Sequence, residues 1–254
     1  MAQGTCRLCN NERVLTFEHV PPRAVFNKET RYRTVKLLDY FQDPDPLNFK
    51  ANGKLHQGGI GYYSLCRDCN NFLGRTYVND FKLYSNAFIS SAKKDQFNRF
   101  SLTMHEFSAL NVLKQIISMF FSFNSLKFSQ QNRDLANFIL SADSKLLPER
   151  FRVFNYLNTE GSLRNIPVMV KGNLGDGHSI TGSELAFPPL GHVLTIDFNG
   201  NLPCLQEITF FKDIELNAKV DLDLVLYRLP THLPILLDYR SKDAIIECMT
   251  KSPN

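Results

Sequence analysis

Two short stretches, Cys6-Arg-Leu-Cys9 and Cys66-Arg-Asp-Cys69, constrain this chain more than any other feature. Each is a C-x2-C pair, and four thiolates suit a tetrahedral Zn²⁺. If both pairs hold one ion, residues 10–65 must leave the first knuckle and return to the second. The first third of the chain is then a closed, metal-stapled unit. Such a unit draws folding energy from the metal, because a small basic module lacks a sizeable core of its own. The other two cysteines, Cys204 and Cys248, lie in apolar surroundings and read as buried thiols.

Composition bounds the remainder. With 254 residues, 43% apolar and 21% charged, the chain belongs with globular proteins rather than disordered ones. Its longest apolar runs, such as Ile116–Phe121, fall far short of the roughly 18 residues of a membrane helix, so no membrane partner is expected. The opening "MAQGTCRLCN" has no basic-then-apolar leader pattern, which points to an intracellular, cytoplasmic protein. In a reducing compartment, cysteines are metal ligands or free thiols rather than disulfides. Net charge is +4, and its distribution is uneven. Residues 1–88 carry 12 Lys and Arg against 8 Asp and Glu, whereas residues 89–254 carry 17 of each. The excess positive charge sits with the four paired cysteines, which suits a phosphate-rich partner there.

Periodicity predicts an α+β chain. "RVLTFEHV" and "YYSLC" read as strands, the first ended by Pro21-Pro22. Between them, residues 28–58 read as an inserted basic loop. Leu73, Tyr77, Phe81 and Tyr84 recur at helical spacing, placing a helix from Asn70 to about Ser85, with Asn70 or Asn71 at its N-cap or first turn. Thr103-x-x-Glu106 reads as a capping box that opens a helix with a buried face at 110, 113, 116, 117, 120 and 121. Residues 133–141 read as a second helix. From about 150 onward "FRVFNYL", "IPVMV", "HVLTIDF", "EITFF", "DLDLVLY" and "LPILLDY" read as strands of a mostly antiparallel sheet. The expected organisation is an N-terminal module, 1–88, and an α+β domain, 89–254, in which no catalytic motif is visible.

Chemistry concentrates in "FEHVPP" and "CRDCNNFLG". Glu18 and His19 are adjacent on a strand and so point to opposite faces, unless a local break turns both into one cleft. Hydrolysis of a phosphodiester needs an activated water, which a neutral histidine can supply near pH 7. It also needs relief of charge on the leaving oxygen, which a divalent cation can supply. A carboxylate plus an amide oxygen would form an incomplete, all-oxygen ligand set suited to Mg²⁺ or Mn²⁺. Asn70 and Asn71 are either helix caps or, in the case of Asn70, a ligand in that set. At a helix start the N-terminus would also favour a phosphate.

The order C-x2-C, acidic-His-x-x-Pro, C-x2-C-Asn and a nearby Gly resembles the HNH endonucleases, the ββα-metal nuclease fold, over about residues 5–85. The resemblance implies a zinc-stabilised ββα-metal module, and periodicity sets a helical segment and a mostly antiparallel α+β domain after it. It implies His19 as general base, Glu18 and Asn70 as ligands of a catalytic Mg²⁺ or Mn²⁺, and Cys6, Cys9, Cys66 and Cys69 as ligands of a structural Zn²⁺. The partner would be nucleic acid, namely DNA, and the role that of a metal-dependent endonuclease of the defence or mobile-element kind. The family's middle Asn is missing from "GGIGYYSLC", so His19 must be oriented by another group, such as a backbone carbonyl.

Arg23 and Arg75 are candidates for holding substrate phosphates. Arg31, Arg33, Lys36, Lys50 and Lys54, interleaved with Tyr32 and Tyr40 and followed by Tyr62 and Tyr63, could track a nucleic-acid backbone or form an ordinary solvated loop. His56 is a candidate second catalytic group, while His105, His178, His192 and His232 read as structural or exposed. Residues 89–254 would position substrate, mediate self-association or receive a regulatory partner. Two other readings stay open. One is a non-catalytic zinc module that binds nucleic acid or protein. The other is a ligand-sensing C-terminal domain with a degenerate nuclease module.

Overall fold

A computed structural model describes residues 2–92, 98–158, 160–172 and 179–251. The chain opens with β1 (Ala2–Thr5) and β2 (Glu12–His19), joined by the turn that carries the first cysteine pair. After a π-turn at Arg23–Asn27, the insertion contains β3 (Tyr32–Arg33), α1 (Leu37–Phe41) and β4 (Leu55–His56). β5 (Gly61–Cys66) then runs directly into α2 (Arg67–Thr76), followed by α3 (Val78–Ala92). Next come β6 (Arg99–Phe107), α4 (Ala109–Phe123), α5 (Leu126–Gln131) and α6 (Arg133–Leu140). The last part holds β7 (Phe151–Leu157), β8 (Arg164–Gly172), β9 (Ser179–Phe187), β10 (Leu190–Ile196), β11 (Gln206–Glu207), β12 (Val220–Tyr227) and α7 (Lys242–Lys251).

The strands form four sheets, ordered β1-β2-β5, β11-β7-β10-β9-β8, β12-β6 and β3-β4. Every pairing between named strands is antiparallel, so the architecture is α+β. α4 is the hub, and all of its residues are buried. Even Lys114 is enclosed; its ammonium donates to Ser141 O and Ala142 O at 2.6 and 2.8 Å and lies 4.6 Å from the Phe138 ring centre. Burial lowers its pKa to about 8. One hydrophobic core runs from Cys6 through α3 and α4 to Leu226. The 88/89 boundary drawn from composition lies inside α3. Among the described residues, no helix is long and apolar enough to cross a membrane.

Several local expectations are corrected. Thr103–Glu106 does not cap a helix but lies in β6, paired with β12, and Thr103 Oγ1 donates to Asp223 instead. The helix begins only at Ala109. The helix expected over Asn70–Ser85 starts earlier, at Arg67, and breaks at Tyr77, whose buried hydroxyl donates to Ile139 O at 2.7 Å. "EITFF" contributes the two residues of β11 and then a 3₁₀ turn. "LPILLDY" forms no named strand, and the carbonyls of Leu233 and Asp238 accept from Arg164 instead of from a ladder. Cys204 and Cys248 are exposed, the first in a loop and the second on α7.

Candidate metal centre and active site

The first knuckle is a tight turn. Cys6 N–H donates to Asn11 O, and Asn10 N–H donates to Cys6 O while Asn10 takes a left-handed conformation. Asn tolerates that conformation better than most residues. The Arg7 amide donates to Ser64 O on β5, which pins the knuckle against the second one. The register of β2 with β5 sets Leu15 beside Cys66, where strand passes into helix. All four sulfurs consequently lie within 4.8 Å of one another, with Cys9 Sγ and Cys66 Sγ 3.9 Å apart. A tetrahedral ion with bonds of about 2.3 Å needs sulfur–sulfur edges of about 3.8 Å, so the quartet fits Zn²⁺ with little adjustment. Among the described residues it is the one cluster of three or more metal-ligating side chains.

The thiols of Cys6, Cys66 and Cys69 shift one another in opposite directions. A hydrogen bond from Cys69 is the main cause that pulls the Cys6 thiol down to about 4. The complementary hydrogen bond pushes Cys69 up, and burial pushes Cys66 up. Binding a metal requires thiolates, so loading the quartet expels the protons that Cys66 and Cys69 favour.

Glu18 and His19 occupy the end of β2 and differ sharply in environment. Glu18 is 5% exposed, and its Oε2 has no hydrogen-bond partner. Burial, then the charge on Cys6, pushes its carboxyl up to about 8. His19 lies toward solvent, its Nε2 3.0 Å from Gly58 O. A carbonyl only accepts, so Nε2 carries the proton and Nδ1 is the basic nitrogen. A backbone carbonyl thus orients the imidazole.

Asn70 is the fourth residue of α2, and the N-cap is Cys66 rather than either asparagine. Its amide nitrogen donates to Thr16 Oγ1 at 3.0 Å, and Thr16 Oγ1 donates onward to Leu65 O. The bond holds Asn70 against β2 at Thr16, two residues along the strand from Glu18. Arg23 and Arg75 are both exposed; Arg75 Nε donates to Asn71 O at 3.3 Å. Arg31, Arg33, Lys36, Lys50 and Lys54 are exposed as well. The interleaved aromatics are mostly not. Tyr40 is buried against Leu233 and Ile245, Tyr62 accepts from Asn165, and Tyr32 stacks on His56 at 4.9 Å. His56 therefore closes the β3–β4 ribbon. Of the remaining histidines, His105 pairs with Asp221 in the open, His192 is buried against Asn155, and His232 is partly buried. His178 lies outside the described residues.

Two further residues shape the site. Asn27 is fully buried, and its Nδ2 donates to Pro21 O and Ile60 O, both at 2.7 Å. Its Oδ1 accepts from the Ile60 amide at 2.8 Å. One carboxamide thus joins the two ends of the insertion, on either side of His19. Gly59, at φ +101°, allows the close approach: a Cβ there would lie 2.0 Å from Asn27 O and 2.7 Å from His19 Cδ2. The Gly-Gly pair was visible, but an asparagine following "RAVF" carried no signal of its burial. Comparison with protein-family models, with curated proteins and with solved structures returns no match.

Proposed function

We propose that the chain is a metal-dependent endonuclease of the HNH kind, with DNA as substrate. The observation that carries this reading is the local order of elements. Strand β2 ends in Glu18-His19, β5 pairs with it, and α2 follows at once and places Asn70 against β2 through Thr16. The four-cysteine cluster staples the unit where strand meets helix. The orphaned Oε2 of Glu18 also supports it. A buried carboxyl oxygen without a partner is costly, and a cation would complete it and favour the ionised form that burial opposes. Glu18 and Asn70 would hold Mg²⁺ or Mn²⁺, which when bound supplies charge neutralisation at the leaving oxygen.

The residues of the chain perform the remaining steps. His19 Nδ1 takes a proton from water as the water oxygen bonds to phosphorus, and the bond from phosphorus to the leaving oxygen breaks. Gly58 O holds the ring in the tautomer this requires. Arg23 and Arg75 would neutralise flanking phosphates, and residues 89–254 would position substrate or gate the site. A second reading, a non-catalytic zinc module, draws support from the low exposure of Glu18. Plasmid nicking separates the two. Activity that needs Mg²⁺ or Mn²⁺ and is lost in His19→Ala at unchanged zinc content supports the nuclease. Nicking that persists in His19→Ala, or that occurs with no added metal, overturns the assigned roles.

A further inference from the structure

Beside His19, on the paired strands β2 and β5, two aromatic rings are left open. Phe17 and Tyr63 are cross-strand partners, 39% and 53% exposed, with ring centroids 5.4 Å apart at 68°. The Phe17 ring meets the His19 imidazole edge-on, centroids 5.0 Å apart. The three rings form one continuous run that ends at the candidate base. The neighbouring tyrosines behave differently, since Tyr40 is enclosed, Tyr62 is engaged by Asn165 and Tyr32 by His56. Phe26 and Phe41 are also exposed, but Phe17 is the ring in edge contact with His19, and Tyr63 is its cross-strand partner.

We infer that Phe17 and Tyr63 form a stacking platform for the nucleobase next to the phosphate presented to His19, and that the substrate is single-stranded or unstacked nucleic acid. The inference rests on the nuclease reading and adds a substrate class to it. A phosphate held at His19 brings its own nucleoside within one ring of Phe17. In a duplex both faces of each base are covered by neighbours in the stack, so a protein ring can take only a base that has left it. The surroundings suit a phosphate backbone: the net positive charge is confined to residues 1–88, and Arg31, Arg33 and Lys36 are exposed. A cross-strand pair that served only the strand pairing would be replaceable by any apolar side chain of similar bulk.

That contrast defines the test. Zinc-loaded protein is titrated, without Mg²⁺ or Mn²⁺, into fluorescein-labelled oligothymidine, the matching oligouridine and a blunt duplex, and anisotropy is read. Phe17→Leu combined with Tyr63→Leu keeps apolar bulk on the paired strands but removes the π faces. It should retain the wild-type melting temperature and zinc content and bind the single strands about 5- to 150-fold more weakly per base lost, with duplex binding unchanged. Tyr63→Phe should bind as wild type. Equal affinity of wild type for single strand and duplex, or no loss in the leucine variant, overturns the platform. A parallel cleavage assay on the same labelled strands and on plasmid, with Mg²⁺ or Mn²⁺, keeps the two ideas apart. Cleavage without the stacking effect leaves the nuclease standing and the platform refuted. Selective single-strand binding without cleavage of any of these substrates leaves a base-binding surface but refutes the nuclease reading on which its substrate role rests. The oligothymidine and oligouridine arms decide between DNA and RNA.

Discussion

Replacing Asn27 by alanine should damage the site from a distance. The side chain makes three hydrogen bonds, to Pro21 O, Ile60 O and the Ile60 amide, and none of its atoms reaches solvent. Ile60 O keeps a second partner in the Val20 amide at 2.9 Å, so truncation orphans two backbone groups fully, Pro21 O and Ile60 N–H. A buried group left unpaired costs about 1–3 kcal/mol, which sets the loss at about 2–6 kcal/mol. For a chain of this size each kcal/mol lowers the melting temperature by about 2–4 °C, so even the lower bound is a fall of about 4 °C. The damage should be concentrated at Gly58–Gly61, whose carbonyl at Gly58 orients His19. Hydrogen exchange should therefore show the Ile60 amide losing protection before the amides of α4. Asn27→Asp sharpens the test, because it keeps the acceptor for Ile60 N–H but sets a carboxylate against two carbonyls. That carboxyl is raised in the fold, so its destabilisation relative to wild type should grow as pH rises from about 4 toward neutral. An Asn27→Ala protein that melts within about 1 kcal/mol of wild type, with unchanged exchange at Ile60, would refute the reasoning.

Further outcomes follow from the same geometry. Cys69→Ala should bind substoichiometric zinc by colorimetric release and melt well below wild type. In the wild type, zinc affinity should fall as pH drops, because loading must displace protons from Cys66 and Cys69. Gly59→Ala forces a Cβ to 2.0 Å from Asn27 O at φ +101°, and should disorder the His19 loop while leaving zinc content unchanged. Arg164→Leu leaves Glu184 buried with only Tyr156, Tyr239 and the Leu237 amide as partners, and should cost about 3–5 kcal/mol in denaturant titrations. Replacing both charges with apolar residues of similar volume should cost less. His192, buried beside Asn155, has its pKa lowered to about 3, so the folded state binds fewer protons than the unfolded one. Its contribution is complete above about pH 6.5 and is lost as pH falls; at pH 5 the loss is about 2 kcal/mol. His192→Gln should flatten the acid limb of stability against pH, judged by slope rather than level.

What the sequence determined by itself is what local spacing encodes. Identical C-x2-C pairs present sulfurs in the geometry one tetrahedral ion needs, and the quartet is found within 4.8 Å. Period-2 and helical patterns located β2, β5, α6, β7, β8, β10 and β12, because a strand or helix burying one face must repeat at its own pitch. Alternation along β2 left Glu18 and His19 either on opposite faces or turned into one cleft, and the fold buries Glu18 and leaves His19 partly exposed. The rest was decided by partners far away in the chain. Thr103–Glu106 carries the letters of a helix cap, yet pairing with β12 makes it a strand, since long-range hydrogen bonds outweigh a weak local preference. Tyr40 and Tyr63 look alike in sequence. One is covered by Leu233 and Ile245, from nearly two hundred residues onward, and the other is left open beside His19. Asn27 has no local signature because its three bonds go to Pro21 and Ile60, brought together only when β2 and β5 pair. Short-range geometry is written in residue spacing; burial and the pairing of polar groups depend on which distant surface arrives, and only the folded chain decides that.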